Sequence, residues 1–199
     1  MTTITADRVK QLRDLTGAGM MECKKALAEA GGDLERAVDV LRKSGAAKAE
    51  KRMDRTANEG RVDTYIHPGN RVGVLIEVNC ETDFVALTPE FAELVRNLAM
   101  QAAAAGADYV RREEVPAERI EREREIFKSQ LEGQGKPANI LDKIVDGKLE
   151  KFFGEVCLLD QSYIRDDKMT VAQLVQEAVS RTGENIVVKR FVRFRLGQD

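Results

Sequence analysis

The chain carries a single histidine, His67, and no two cysteines at zinc-ligand spacing, so no zinc site is expected. A thiol hydrolase needs a cysteine–histidine couple, which only His67 with Cys80 or Cys157 could supply. His67 sits in a Pro-Gly turn and reads more simply as a surface residue. There is no glycine-rich phosphate loop ending in Lys-Ser/Thr, and no Gly-x-Gly-x-x-Gly opening a helix after a strand. Thr16-Gly-Ala-Gly lies between two helical segments and is a turn, not a phosphate cradle. No apolar run approaches the roughly 18 residues of a membrane span. The N-terminal Met-Thr-Thr-Ile-Thr-Ala-Asp lacks a basic region followed by an apolar stretch, so no secretory signal is expected. The three cysteines (Cys23, Cys80, Cys157) are odd in number and widely spaced, which implies reduced thiols and a cytoplasmic location. A formal net charge of −2 gives no reason to expect direct nucleic-acid binding.

What remains is a soluble, globular composition: 33% charged and 43% hydrophobic residues in 199, enough for one or two domains with a real core. Residues 1–45 read as three short helices. Val9, Leu12 and Leu15 give the first an apolar stripe, Met20 to Ala30 forms the second, and Leu34, Ala37, Val38 and Leu41 repeat at three and four in the third. Asp33 caps that third helix and Gly45 is a plausible stop. Met20 and Met21 are adjacent and point about 100° apart on a helix, so both cannot be core in so small a module; partner contact and core remain equally open for them. Residues 46–60 are charged and weakly periodic, as in a linker, with a partly helical course left open.

Strand signals follow at 61–66 and 71–79, joined by the turn His67-Pro68-Gly69-Asn70. Thr88-Pro89 opens a helix with Phe91, Leu94, Val95, Leu98 and Ala102 inside. Pro116 starts a charged helix, Lys136-Pro137 interrupts, and Ile140, Leu141, Ile144 and Val145 begin the next. A third strand is expected near 154–160, a helix from a Thr170 cap through Arg181, and a last strand over 185–196. In that strand Ile186, Val188, Val192, Phe194 and Leu196 share one parity, which places Arg193 and Arg195 on the open face. With Lys189 and Arg190 they form the best basic cluster of the chain, read as a solvated face. The fold class is α+β: an N-terminal three-helix, UBA-like module (1–45), a linker (46–60), and a core (61–199) of a small, mainly antiparallel sheet packed with helices.

Residues 80–85, Cys-Glu-Thr-Asp-Phe-Val, are the most informative stretch. They follow a strand in which Val72, Val74, Ile76 and Val78 share a parity, and they precede the helix near Pro89. An acid, Asp83, and a large ring, Phe84, stand side by side where binding residues concentrate. Two readings are open. Phe84 folds into its own core while Asp83 begins a turn, or the pair is a wedge with a charge beside it.

Two long segments resemble one family. Leu-Arg-Asp-Leu-Thr-Gly-Ala-Gly-Met-Met-Glu-Cys-Lys-Lys-Ala-Leu (12–27) is similar to the N-terminal signature of translation elongation factor Ts, and Ile-Glu-Val-Asn-Cys-Glu-Thr-Asp-Phe-Val (76–85) to its second signature. Gly154-Glu-Val-Cys-Leu-Leu-Asp-Gln and Asp167-Lys-Met-Thr-Val resemble the family's C-terminal part. The resemblance implies a guanine-nucleotide exchange factor, not an enzyme of covalent chemistry and without a cofactor, that binds elongation factor Tu in GDP-bound and nucleotide-free forms. It implies that Arg13, Met20, Met21 and Lys24 contact the nucleotide-binding domain of Tu. Asp83 and Phe84, within the stretch Thr82, Asp83, Phe84 and Val85, would intrude beside the magnesium site. His67 matches a contact histidine, and Ile164 and Arg165 lie in a contact stretch from which the local sequence departs. The chain holds one copy of a core subdomain that many members hold twice, which implies a homodimer carrying two Tu molecules. A helical adaptor for another partner, using residues 1–45, is the alternative.

Overall fold

The computed structural model describes residues 4–131 and 137–198; residues 1–3 and Lys136, both used above, lie outside them. The elements run α1 (Ala6–Thr16), α2 (Met20–Glu29), α3 (Leu34–Glu50), β1 (Glu59–Ile66), β2 (Val72–Cys80), α4 (Asp83–Ala86), α5 (Pro89–Ala105), α6 (Ala117–Ser129), α7 (Ala138–Val156), β3 (Ser162–Tyr163), β4 (Asp166–Thr170), α8 (Val171–Thr182) and β5 (Val187–Arg195). The α+β class is as expected. No helix among the described residues is long and apolar enough to cross a membrane. The chain divides into two compact units. One holds residues up to Gly60, Asn79–Phe91 and Gln173–Val187; the other holds Arg61–Val78, Ala92–Ala172 and Val188 onward.

In the first unit, α1, α2 and α3 enclose a core of Val9, Leu12, Cys23, Ala26, Leu27 and Ala37, against which Leu34, Val38 and Leu41 pack. Thr5 and Asp33 cap α1 and α3 by accepting from the Arg8 and Arg36 N–H groups. Leu15, expected in the stripe, is instead 67% exposed. Gly45 does not stop α3, which continues to Glu50. Its place follows from packing: a Cβ at Gly45 would stand 3.1 Å from Ser180 Oγ on α8. Arg42 pairs with Glu177 at 3.4 Å, and Arg52 donates to the Val179 carbonyl at 3.4 Å. The missing side chain thus serves close helix approach rather than a left-handed turn. A left-handed glycine, Gly183 at φ 79°, ends α8 instead.

In the second unit β1, β2 and β5 form a sheet in that order, and β3 pairs with β4 antiparallel. Val74, Ile76 and Val78 bury one face of β2, and Leu94, Val95, Leu98 and Ala102 bury the inner stripe of α5 as their spacing requires; Phe91, at the start of the same helix and counted with the first unit, is buried too. The strand expected near 154–160 is absent. Residues to Val156 are helical, Leu158–Asp160 is a 3₁₀ turn, and the hairpin comes later. Phe152 and Val156 are needed on the inner face of α7, which with Val115 and Cys157 forms a compact apolar cluster.

The last strand also departs from simple alternation. Val188 is buried, yet Val192 and Phe194, of the same parity, are exposed, Phe194 at 73%. Burial shifts by one residue between Val188 and Phe191, which turns the following even-numbered positions to solvent. Arg193, expected on the open face, is mostly covered and lies 3.9 Å from Asp108. Arg190 donates to Glu77 at 2.7 Å, which marks the uncovered face. Ile66 extends over Gly73 on that face. Val62, Ile66, Leu75, Val192 and Phe194 therefore leave an apolar sheet face open to solvent.

Candidate functional site

The turn after β2 is built to display rather than bury its ring. Thr82 is extended (φ −126°, ψ 154°), and its hydroxyl accepts from the Val85 N–H at 3.4 Å, capping α4. The Thr88 hydroxyl donates to the Val85 carbonyl at 2.8 Å and accepts from the Phe91 N–H at 3.2 Å, which carries the chain into α5. Ala86 is the buried anchor. Asp83 begins the helical turn, as the first reading had it, but Phe84 does not fold into a core: it is 81% exposed. Leu87, one turn on and 77% exposed, lies on the same side. Leu87 was missed because it falls past the end of the recognised motif; an isolated leucine before Thr-Pro carries no periodic signal.

The backbone preceding the turn is fixed from far along the chain. The Asn185 N–H donates to Glu81 Oε1 at 2.6 Å, and its side-chain amide donates to the carbonyls of Met53 at 3.2 Å and Arg55 at 2.7 Å. Arg55 pairs with Glu81 at 3.5 Å. Asn185 is buried, so these bonds satisfy groups that would otherwise be costly.

The second group of expected residues lies at the α1–α2 turn. Gly17 (φ 68°) closes α1 by donating to the Arg13 carbonyl at 2.7 Å, and α2 starts at Met20. Arg13, Met20, Met21 and Lys24 are all exposed. Neither methionine is core, because Cys23, Ala26 and Leu27 take the inner positions of α2. Met21 is 75% exposed. Leu15, at the end of α1, is exposed as well, so the two helices flanking the turn offer three exposed apolar side chains together with Arg13 and Lys24. Leu15 was read as core because a three-residue step from Leu12 fits a stripe; the helix ends before that step can be covered.

The remaining expected residues belong to the other unit. His67 is exposed in a turn held by Asn70 N–H to His67 carbonyl at 2.9 Å, and its Nδ1 lies 3.3 Å from the Tyr65 hydroxyl. Ile164 and Arg165 are exposed at the tip of the β3–β4 hairpin. The tip is held from beneath by Gln101, fully buried, which accepts from the Ile164 N–H at 2.9 Å and donates to the Ser162 carbonyl and Gln161 Oε1, each at 3.1 Å.

The cysteines offer no reactive thiolate. All three are buried and free. Burial first, then the charge of Glu184, pushes the Cys80 thiol up to about 11, and its Sγ donates to the Thr82 carbonyl at 3.1 Å. Burial first, then Asp160, does the same for Cys157, also to about 11. A nucleophilic thiol needs the opposite shift. No cluster of three or more metal-ligating side chains occurs among the described residues.

A family model described as Elongation factor TS matches residues 15–198. The chain is 57% identical over 195 residues to an Elongation factor Ts of Thermoanaerobacter sp. (strain X514), covering 98% of this chain and 96% of that one. It is 56% identical over 195 residues to an Elongation factor Ts of Thermotoga petrophila, with 98% and 97% covered. To that of Geobacter sulfurreducens it is 54% identical over 196 residues, with 98% and 91% covered. On a match of this extent, the chain belongs to the elongation factor Ts family.

Proposed function

We propose that the chain is a cytoplasmic guanine-nucleotide exchange factor for elongation factor Tu, acting by binding alone. The observation that carries the reading is Phe84, a large apolar ring held in water by a capped turn with Asp83 beside it. Keeping such a ring exposed costs about 2 kcal/mol of unused burial, so a site that covers it is expected.

In this reading the α1–α3 helices, which continue past the expected boundary at residue 45 and share one compact unit with 46–60, dock on the nucleotide domain of Tu through Arg13, Met20, Met21 and Lys24. The Thr82–Val85 turn then presses Phe84 into Tu and brings the Asp83 carboxylate to the magnesium site. His67, Ile164 and Arg165 supply further contacts from the second unit. Exchange follows from linkage: the factor and GDP weaken each other's binding by the same ratio. Each tenfold loss of GDP affinity needs about 1.4 kcal/mol of differential contact. GTP enters the emptied site and the factor leaves.

The functional assembly is a two-fold dimer holding two Tu molecules. Support comes from the open sheet face, where Val62, Ile66, Leu75, Val192 and Phe194 stand exposed together. Two such faces related by a two-fold axis cover each other.

Release of a fluorescent GDP from Tu, with and without the chain, tests the reading. Accelerated release is expected. Retained GDP together with Tu-independent capture of another protein by residues 1–45 would favour the adaptor alternative.

A further inference from the structure

The C-terminal end of α8 grips the turn that carries Phe84. The Glu184 carboxylate accepts three hydrogen bonds from two adjacent residues: Oε2 from the Glu81 N–H at 3.1 Å and the Thr82 N–H at 3.0 Å, and Oε1 from the Thr82 hydroxyl at 2.6 Å. The grip is reciprocal, since Glu81 accepts from the Asn185 N–H. Glu184 itself is presented by the left-handed Gly183, and its N–H is held by the Thr182 hydroxyl at 3.3 Å.

We infer that Glu184 is a positioning residue for nucleotide exchange, which aims Phe84 by setting the Thr82 hydroxyl. The inference rests on the proposed role of Phe84. Thr82 has one hydroxyl hydrogen. Donating it to Glu184 turns an oxygen lone pair to the Val85 N–H, the bond that starts α4. A helix of four residues has no stability of its own, so its direction is set by what holds its ends. Without Glu184 that hydroxyl rotates freely and the two preceding N–H groups lose their acceptor. Charge-assisted bonds of this kind are the stronger ones. The same helix end also reaches the docking surface: a Cβ at Gly17 would stand 2.9 Å from Arg181 Cδ. Residues 181–185 thus touch both the α1–α2 turn and the Phe84 turn within one compact unit.

The test is GDP release from Tu by the full chain, titrated to separate maximal rate from half-saturating concentration. Glu184→Ala is expected to lower the maximal rate about tenfold while moving half-saturation less than about twofold, because Arg13, Met20 and Met21 are untouched. Glu184→Gln keeps an oxygen for the N–H pair and a group that bonds the Thr82 oxygen, so it is expected to restore most of the rate. The double variant Glu184→Ala/Phe84→Ala is expected to be no slower than Phe84→Ala, because both changes remove one action. Defects that multiply would overturn the inference, as would wild-type release by Glu184→Ala. Wild-type release by Phe84→Ala would instead remove the wedge reading. Hydrogen exchange on the unmodified chain provides a check independent of variant folding: slow Glu81 and Thr82 amides are expected, and unprotected ones would overturn the grip.

Discussion

Phe84 and Leu87 stand one turn apart on the same side of α4, both more than three-quarters exposed, with Ala86 buried between them. Replacing either by alanine removes contact area without opening a cavity in the chain. Phe84→Ala should slow GDP release from Tu about tenfold or more, and Leu87→Ala about two- to fivefold. Melting should move by no more than exposed substitutions usually cause, within about 0.5 kcal/mol. Release at the wild-type rate by Phe84→Ala with a normal melt would sink the wedge.

Asp83 is exposed at the start of α4 and is not itself the cap, which is Thr82. Its removal should leave the turn formed. Asp83→Ala should slow release in millimolar magnesium and less so after chelation, since its proposed effect is on the ion's site. An equal defect under both conditions would argue against that role.

At the α1–α2 turn, Met21→Ala should weaken binding to Tu rather than slow the maximal rate. A loss of about 1 kcal/mol raises half-saturation about fivefold. Leu15→Ala should act in the same direction. Calorimetric titration on nucleotide-free Tu checks both, and unchanged affinity for the pair would show that this surface is not the docking face.

Phe194→Asp places a charge on the open sheet face, near the end of the edge strand β5. Light scattering at micromolar concentration should give a dimer for the unmodified chain and a mass near 22.2 kDa for the variant. Reducing agent should change neither, because all three thiols are buried and unpaired. A single-chain mass for the unmodified protein with full exchange activity would remove the dimer.

The thiols make stability fall at high pH. Cys80 and Cys157 are raised from 9.0 to about 11 by burial, so folding favours their neutral form. That contribution is complete below about pH 9 and is lost as pH rises through about 11. The urea midpoint should therefore decline between these values, with a shallower slope in Cys80→Ala. At pH 8 the folded chain should resist alkylation by iodoacetamide and react only on unfolding; rapid labelling when folded would contradict the burial of these thiols.

What could be read from residues in order was whatever depends on neighbours three or four positions away. The stripe of α5, the Asp33 cap, the His67–Asn70 turn and the alternation of β2 are local consequences of helix and strand periods. The motif around Asp83 and Phe84 was legible too, although local sequence left open whether the ring faced in or out. Only the tertiary structure decided that. The ring faces out because Glu184 and Asn185, more than a hundred positions away, hold Glu81 and Thr82. The same kind of partner explains Gly45, where Ser180 on α8 leaves little room for a larger side chain, and Arg193, which is mostly covered and lies near Asp108. A period reports which residues share a face. It carries no information about which distant segment arrives to cover that face, and at those positions long-range packing outweighs local preference.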